Sequence, residues 1–559
     1  MNWTRALYAC ALASYLWLCF CWFDHDLGGE LSDTPVGIPL GALAVVLTAI
    51  AWFHRASLRL GIEGKITLAV LSSAFASRLP FLASSYGLFS SDAAAQGIMA
   101  LHIAEGRHHP IFLYKWSYVG SLKAHLTALL ASILGDPVVS FALSAVIVYA
   151  AFAAAVYFLA RSVASRTESV VASLLVILAP GFLTAWGMGN EGSYVDVMFF
   201  GTLMLGLVAR LLLRDERSVT TAFWIGLLGG LAFWVHILAT YYLLACAGAL
   251  AVHRVGRLSL TRLGAFASGF AVGDFPGLLW NATNDWLSFR WWTLDAEALD
   301  TGARLGRFAH QLVEVFATSF PVLAGYWPAD DPPGTNVAWR IALALLIPVS
   351  FVSFAARHRR KLIRTTPEAM LLAFAVLVVL VFAMSSFGWM TAEPRYLLFV
   401  FSVAPIFITT LLATLFRWAR PLAVVATIGL LAINLRGSVS YWKQARASDP
   451  INREYLRQLE ELGIRYAHSD YHLSYKYVFL SHGRMVWTSA LGPSKTEWYE
   501  PFREEVDAAS SFALVPRSFR FAERIERRLE AHAIRYRREN LLYPLLFDFS
   551  EPVTLEELR

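Results

Sequence analysis

Long apolar stretches alternate with short polar segments along most of the chain. Residues 41–53, 137–160 and 421–435 carry no charged side chain at all. A helix needs about 20 apolar residues to cross a bilayer core of about 30 Å. The pattern predicts about thirteen membrane-spanning helices, at residues 6–23, 36–53, 66–84, 138–160, 169–186, 196–213, 219–235, 238–252, 263–281, 338–356, 367–388, 396–416 and 421–437.

Composition agrees with a polytopic α-helical membrane protein. Only 16% of the 559 residues are charged and 57% are hydrophobic, whereas soluble domains carry about 25% charged residues. The segment after the first apolar stretch, CWFDHDLGGE, holds no small-residue cleavage site, so we expect a retained first helix rather than a signal peptide. No disulfide framework or zinc spacing is expected, because all four cysteines fall inside predicted spans: Cys10, Cys19, Cys21 and Cys246.

The loops between spans differ in charge, and this difference predicts their side of the membrane. Arginine-rich loops are expected in the cytoplasm, and they lie at 54–65, 161–168, 214–217, 253–262, 357–364 and 417–420. The loops 24–35 and 187–195 contain no Lys or Arg. The segments that then face outside are 85–137, 187–195, 282–337 and 438–559. The net charge of +6 therefore reflects topology, and we expect no nucleic-acid partner.

The chain divides into two predicted domains at residue 437. Residues 1–437 form the transmembrane domain, with a first outer loop at 85–137 and a third at 282–337. In residues 438–559, helical apolar spacing is followed by short β-type runs such as GIRYA and SFALVP. This pattern predicts a small extracytoplasmic α/β domain, and it contains no glycine loop for a nucleotide.

The first outer loop begins with SDAAAQGIMALHIAEGR, residues 91–107. Ser90 or Ser91 can cap a helix there, and a partly apolar face suited to the bilayer surface is formed by Ile98, Met99, His102 and Ile103. A second amphipathic helix is predicted from about residue 121 to 134. Asp92 lies in the first turn of the first helix. It is either a residue favoured by the helix dipole or a general base at the membrane boundary.

Several motifs together resemble the GT-C glycosyltransferases. The first loop, with FLYKWSYVGSLKAH at 112–125, resembles the branch of the protein O-mannosyltransferases, the lipid A aminoarabinose transferase and their bacterial relatives. Further along, GLLGGLAFWVHILATYYLL (226–244), GFAVGDFPGLLWN (269–281) and PRYLLFVFSVAP (394–405) resemble span motifs of that family. The segment GIRYAHSDYHLSYKYVFLSHGR (463–484) resembles its extracytoplasmic domain. The order of these motifs is more specific than any one of them.

This resemblance implies a polyprenyl-phosphate-linked sugar as donor and an inverting hexosyl or pentosyl transfer to an acceptor hydroxyl outside the membrane. It also implies an integral protein of a bacterial inner or plasma membrane. The family's first loop acid, its catalytic base, corresponds to Asp92. The chain departs from the family pattern where Ala93 replaces a Glu, and also at Lys115, Trp116, Lys123 and His125. The missing Glu argues against a two-carboxylate arrangement in this loop, and the Lys and Trp changes suggest an altered donor or acceptor.

Other polar residues at the predicted outer boundary are candidates for the same site. Glu191 and Asp196 could position the acceptor or tune the base, or they could be a solvated loop charge and a contact inside the bundle. Arg395 is a candidate phosphate ligand, together with Lys115 and Lys123, or an arginine that snorkels to lipid headgroups. Candidate acceptor- or sugar-binding residues are Tyr114, Tyr118, Tyr194 and His102.

No cofactor is expected. The histidines of the first loop, His102, His108, His109 and His125, lack a tight metal-ligand spacing, and the donor lipid phosphate already carries the activation that a nucleotide would supply. Two alternatives remain. A transporter or flippase of a lipid-linked glycan would use charges inside spans, such as Asp196 and Asp274. A catalytically inactive glycan-binding relative would explain Ala93.

Overall fold

A computed structural model describes residues 61–214, 218–253, 259–294, 301–326, 337–362, 366–491 and 497–553. The predicted spans 6–23 and 36–53, with three of the four cysteines, lie outside these residues. Up to the end of the last predicted span, the helices are Ile62–Leu82, Ser91–Ala104, Leu122–Leu134, Pro137–Ala160, Arg166–Ile177, Gly181–Gly189, Tyr194–Arg214, Val219–Val235, Thr240–His253, Leu260–Gly273, Phe275–Thr283, Leu287–Leu294, Thr301–Glu314, Phe320–Leu323, Val337–Leu362, Pro367–Met384, Ala404–Trp418 and Arg420–Glu461. Short 3-10 helices lie at Ser85–Gly87, Glu191–Ser193, Ile237–Ala239 and Arg395–Ser402, and one π-helical turn at Val315–Ser319.

Six helices of the described residues are long and apolar enough to cross a membrane, and up to eight if each of two bent helix pairs is one span. The bent pairs match the predicted spans 169–186 and 396–416, with bends of 65° and 55°. Pro180 lies in the first break, and Pro405 is the second residue of the helix after the second break. Proline removes a backbone donor and disfavours helical geometry in the preceding residue. The three predicted spans at 219–281 form helices of 17 residues or fewer. The protein is integral to the membrane, while the count of thirteen spans stays a prediction.

Loops that were predicted to share a side of the membrane contact one another. On the arginine-rich side, Arg161 pairs with Glu63 at 3.1 Å and Arg357 pairs with Glu168 at 2.5 Å. On the other side, His482 of the tail lies 3.7 Å from Asp136 of the first outer loop. The alternation of the loops is therefore consistent with the packing, and the assignment of the arginine-rich side to the cytoplasm remains a prediction from charge.

The first outer loop contains a helix that is more deeply buried than its sequence predicts. The loop helix, Ser91–Ala104, is buried along nearly its whole length: Ile98 and Met99 are 0% exposed and His102 is 3% exposed. The expected bilayer-facing side is wrong, because this side is packed inside the protein, with the tail covering His102. A two-stranded antiparallel hairpin, Phe112–Leu113 and Trp116–Gly120, follows. The second predicted helix is present as Leu122–Leu134.

The last predicted span does not stop at residue 437. Its helix runs for 42 residues, from Arg420 to Glu461, and so continues into the tail without a break. Beyond it lies a five-stranded sheet in the order Val486–Thr488, Tyr466–Ser469, Ala513–Val515, Pro544–Phe547, Arg537–Asn540. The first three strands run parallel to one another, and Pro544–Phe547 runs antiparallel to both of its neighbours. The helices of this part are Tyr471–Leu480, Glu500–Asp507 and Phe519–Ala531.

The tail docks on the first outer loop through close backbone approaches and polar anchors. The loop helix packs on the tail helix, Tyr471–Leu480, where a Cβ at Gly97 would come within 2.5 Å of the Phe479 ring. Asp449 accepts from the Tyr86 backbone N–H at 2.9 Å, and Asn452 donates to the Tyr86 carbonyl at 2.7 Å. The tail is thereby held against the segment that presents Asp92.

Candidate active site

Asp92 lies where the loop helix begins, beside the tail. The Ser90 hydroxyl caps this helix by accepting a hydrogen bond from the Ala93 backbone N–H at 3.3 Å. Of the two caps expected from the sequence, Ser90 and Ser91, the first is therefore the one used. Asp92 is half-buried and is the second residue of the helix, so it lies in the first turn and is not the cap. Its Oδ1 accepts a hydrogen bond from the phenol of Tyr471, the first residue of the tail helix. One oxygen of this carboxylate is therefore engaged by the tail.

Glu191 and Arg395 come close to Asp92. Glu191 begins a 3-10 turn after Asn190, whose φ of 61° reverses the chain between two helices. Its carboxylate interacts electrostatically with Ser90, Asp92 and Arg395. Arg395 in turn interacts with both carboxylates. Two acids and one cation from three separate segments therefore share one region.

The Arg395 guanidinium is held by rings rather than by a salt bridge. Its carbon lies 5.6 Å from the centre of the Trp186 ring and 5.5 Å from that of Tyr396, in the range of cation–π attraction. Nη2 contacts the Met390 sulfur at 3.6 Å. The Nε atom is buried without a hydrogen-bond partner, and among the described residues Arg395 makes no ion pair within 4 Å. The Nε–H group of Arg395 is therefore left without a hydrogen-bond acceptor among the described residues.

Two of the candidate binding tyrosines lie on either side of one histidine. The rings of Tyr118 and Tyr194 each lie 5.5 Å from the ring of His236. The Tyr194 ring is also 6.1 Å from that of Tyr396, next to Arg395. His236 is placed by a β-bridge to Val119 of the hairpin. These ring contacts therefore connect the hairpin to the surroundings of Arg395.

The other two candidates, Tyr114 and His102, contact each other. The Tyr114 phenol lies 2.7 Å from His102 Nδ1 and 2.7 Å from His108 Nε2. The Tyr499 and Phe502 rings of the tail pack on His102, at 5.0 and 6.0 Å. Burial, with smaller contributions from His108 and Arg107, lowers the pKa of His102 to about 3, so the ring stays neutral and can accept the phenol proton. This cluster joins the loop to the tail.

Lys123 and Asp196 form a buried ion pair. The ammonium lies 2.8 Å from Asp196 Oδ2, and the two side chains are only 2% and 5% exposed. Lys123 also donates to Asn190 Oδ1 at 2.9 Å. Each charge thus has its partner inside the bundle.

Lys115 occupies the turn of the hairpin, between Leu113 and Trp116. Its side chain is exposed and its backbone has a φ of 68°, in the left-handed region. A lysine on such an exposed turn is free to reach an anionic headgroup, so its role as a phosphate ligand stays a prediction.

The fold was compared with solved structures and the sequence with known families. No protein-family model matches the sequence, and no curated protein does. ArnT from Cupriavidus metallidurans, solved bound to undecaprenyl phosphate, matches with a TM-score of 0.55 at 10% identity, over 86% of this chain and 97% of that chain. Apo ArnT matches at 0.51 with 12% identity, over 82% and 93%. The apo oligosaccharyltransferase of Archaeoglobus fulgidus matches at 0.50 with 12% identity, over 83% and 70%.

Both proteins are GT-C superfamily glycosyltransferases. This chain has the GT-C fold. The resemblance that the sequence motifs suggested is therefore confirmed for the fold. At 10–12% identity, the assignment of individual side chains still depends on the geometry of this chain.

On this GT-C fold the sequence-predicted residues separate into groups. Asp92, Glu191 and Arg395 share one region, while Lys123 and Asp196 neutralise each other. Sequence reasoning did not single out Tyr471, although the motif around it was noted. In the described part of the chain, no three His, Cys, Asp or Glu side chains come together as metal ligands would.

Proposed function

We propose that this protein transfers a hexosyl or pentosyl group from a polyprenyl-phosphate-linked donor to an acceptor hydroxyl, on the outer side of the membrane and with inversion. The observation that carries the proposal is the proximity of the half-buried carboxylate of Asp92 to the guanidinium of Arg395, which makes no salt bridge within the described residues. The GT-C fold and the undecaprenyl phosphate bound by ArnT support the class of donor.

The proposed roles follow from the charges that appear during the transfer. Asp92 takes the proton of the acceptor hydroxyl as its oxygen attacks the anomeric carbon. The bond from that carbon to the phosphate oxygen breaks, and its electron pair leaves with the polyprenyl phosphate. Arg395 stabilises the added negative charge. Attack opposite the leaving group inverts the anomeric centre. The chemistry assigns no role to a nucleotide or a divalent metal.

The other candidates receive secondary roles. Glu191 is expected to position the acceptor, because its carboxylate interacts electrostatically with Asp92. Tyr118 and Tyr194 offer ring faces and phenols on the approach to Arg395, where a sugar can stack and hydrogen-bond. Tyr114 and His102 contribute by fixing the loop to the tail.

The proposal is tested by following the donor. Membranes containing the full chain are supplied with radiolabelled hexosyl- and pentosyl-polyprenyl phosphates and a native membrane extract as acceptor. We expect label to move from lipid to an extract component, and NMR of the product to show an inverted anomeric configuration. Folded protein that consumes no donor but moves labelled lipid across vesicle bilayers would instead establish a transporter. Folded protein that does neither would support the inactive relative.

Arg395 provides a separate prediction about the donor. Arg395→Gln should weaken donor binding by about 10- to 150-fold, because a hydrogen bond to a charged group contributes about 1.5–3 kcal/mol. Arg395→Lys should recover part of this loss, since it keeps the charge but not the two-pronged geometry. Titration of the purified protein in nanodiscs with polyprenyl phosphate measures the effect. Unchanged binding in Arg395→Gln would exclude Arg395 as the phosphate ligand, and Arg359→Gln, on the opposite side, is the matched control.

A further inference from the structure

The contact between Tyr471 and Asp92 joins the tail to the first outer loop across 379 sequence positions. The phenol oxygen donates to Asp92 Oδ1. Tyr471 opens the tail helix, which Asp470 caps by accepting from the Leu473 backbone N–H at 3.2 Å. Burial first, and then the Asp92 charge, raises the pKa of Tyr471, so this phenol remains a proton donor throughout the physiological range.

The tyrosine is held in place by the ring of Trp498, whose centre lies 5.0 Å from that of Tyr471. Trp498 is fixed in turn by its backbone N–H, which donates to the Tyr475 phenol oxygen at 2.6 Å. Tyr475 donates its own proton to the buried carboxylate of Glu497. That carboxylate also accepts from the Ser489 backbone N–H at 2.9 Å. The ring of Tyr471 thus packs on a residue that is fixed by a hydrogen-bond network within the tail.

We propose that Tyr471 is a positioning residue for Asp92, so that the tail completes the active site of the proposed transferase. The inference rests on the proposed function, because it requires Asp92 to be the base. By engaging Oδ1, Tyr471 fixes the plane of the carboxylate and leaves Oδ2 for the acceptor proton.

Three charged or hydrogen-bonding groups face the Asp92 carboxylate. They are Tyr471 from the tail, Glu191 from the second outer loop and Arg395 from the late span. Among the described residues, the phenol of Tyr471 donates a hydrogen bond to Asp92 Oδ1. Loss of the phenol should therefore let the carboxylate rotate, so that Oδ2 points at the acceptor hydroxyl less often.

The test is Tyr471→Phe in the full chain in nanodiscs, assayed with the labelled donor and acceptor extract. We expect kcat to fall roughly 10- to 100-fold with donor KM within about threefold. Tyr455→Phe is the matched control, since among the described residues its buried phenol has no hydrogen-bond partner and its loss should leave kcat unchanged.

A second variant distinguishes the loss of the hydroxyl donor from a general disturbance of the structure. A fluorotyrosine at position 471 keeps both the ring and the hydroxyl donor, so it should keep kcat close to that of the wild type, whereas Tyr471→Phe should not. Wild-type kcat in Tyr471→Phe, or equal loss of kcat in both variants, would overturn the inference and leave the proposed function intact if Asp92→Asn is inactive. If Asp92→Asn retains full activity, the proposed function fails first and the inference fails with it.

Discussion

Replacement of Asp92 by asparagine is expected to reduce transfer by about 10²- to 10⁴-fold, the usual contribution of a general base. The substitution keeps the size of the side chain and its place in the first turn of the loop helix. An amide accepts no proton from a hydroxyl, so chemistry should fail while donor binding at Arg395 persists. The measurement is the rate of label transfer from the polyprenyl-phosphate donor at saturating concentration.

Stability should hardly change in the same variant. Loss of one negative charge at a helix N-terminus costs about 0.3–1 kcal/mol, and the Ser90 cap remains. Glu105→Gln is the matched control, because Glu105 is an exposed carboxylate at the other end of the same helix and its removal should leave transfer unchanged. Wild-type rates in Asp92→Asn would move the base elsewhere. Glu191 would be the first alternative, tested by Glu191→Gln.

The sequence predicted the positions of the helices well because the bilayer imposes one simple rule, a long apolar segment. The helices Pro137–Ala160 and Pro367–Met384 begin within a residue of their predicted starts, each with a proline in the first turn. The bends at Pro180 and Pro405 were not predicted, although the prolines were visible. A proline shows where a helix can break, and the packing of its neighbours decides whether it does.

The candidate site was only partly predictable for a different reason. A motif could point to Asp92, because the residue and its helix cap are adjacent in sequence. Its partner Tyr471 lies 379 positions away, and nothing in the local pattern connects the two. The burial of the loop helix was missed for the same reason. An apolar face has the same sequence pattern whether it contacts lipid or protein, and contacts with distant segments, such as Phe479 against Gly97, cannot be recognised from that pattern.

Lys123 shows that a lysine in a loop can either bind an anionic ligand or form a structural ion pair. Beside a candidate phosphate site, the sequence favours the first of these roles. The packing instead places it 2.8 Å from Asp196 with 2% of its side chain exposed. A pair buried this deeply contributes to folding through the cost of separating its members. The distinction between ligand and structural partner is open to experiment.

Lys123→Met is expected to destabilise the protein by about 3–5 kcal/mol, because it leaves the Asp196 carboxylate buried without its cation. Thermal unfolding of the purified protein in nanodiscs measures the loss. Lys115→Met is the matched control, since it removes an exposed lysine of the same loop and should change stability by no more than about 0.5 kcal/mol.

The double variant Lys123→Met/Asp196→Leu separates the two roles. Removing both charges leaves no unpaired ion, so most of the lost stability should return. If the pair only supports the fold, this variant should also transfer sugar at a rate close to that of the wild type. Recovered stability without activity would mean that one of the two charges contacts the substrate, and Asp196→Asn with Lys123 intact would then show which. A Lys123→Met protein as stable as the wild type would contradict the buried pair itself.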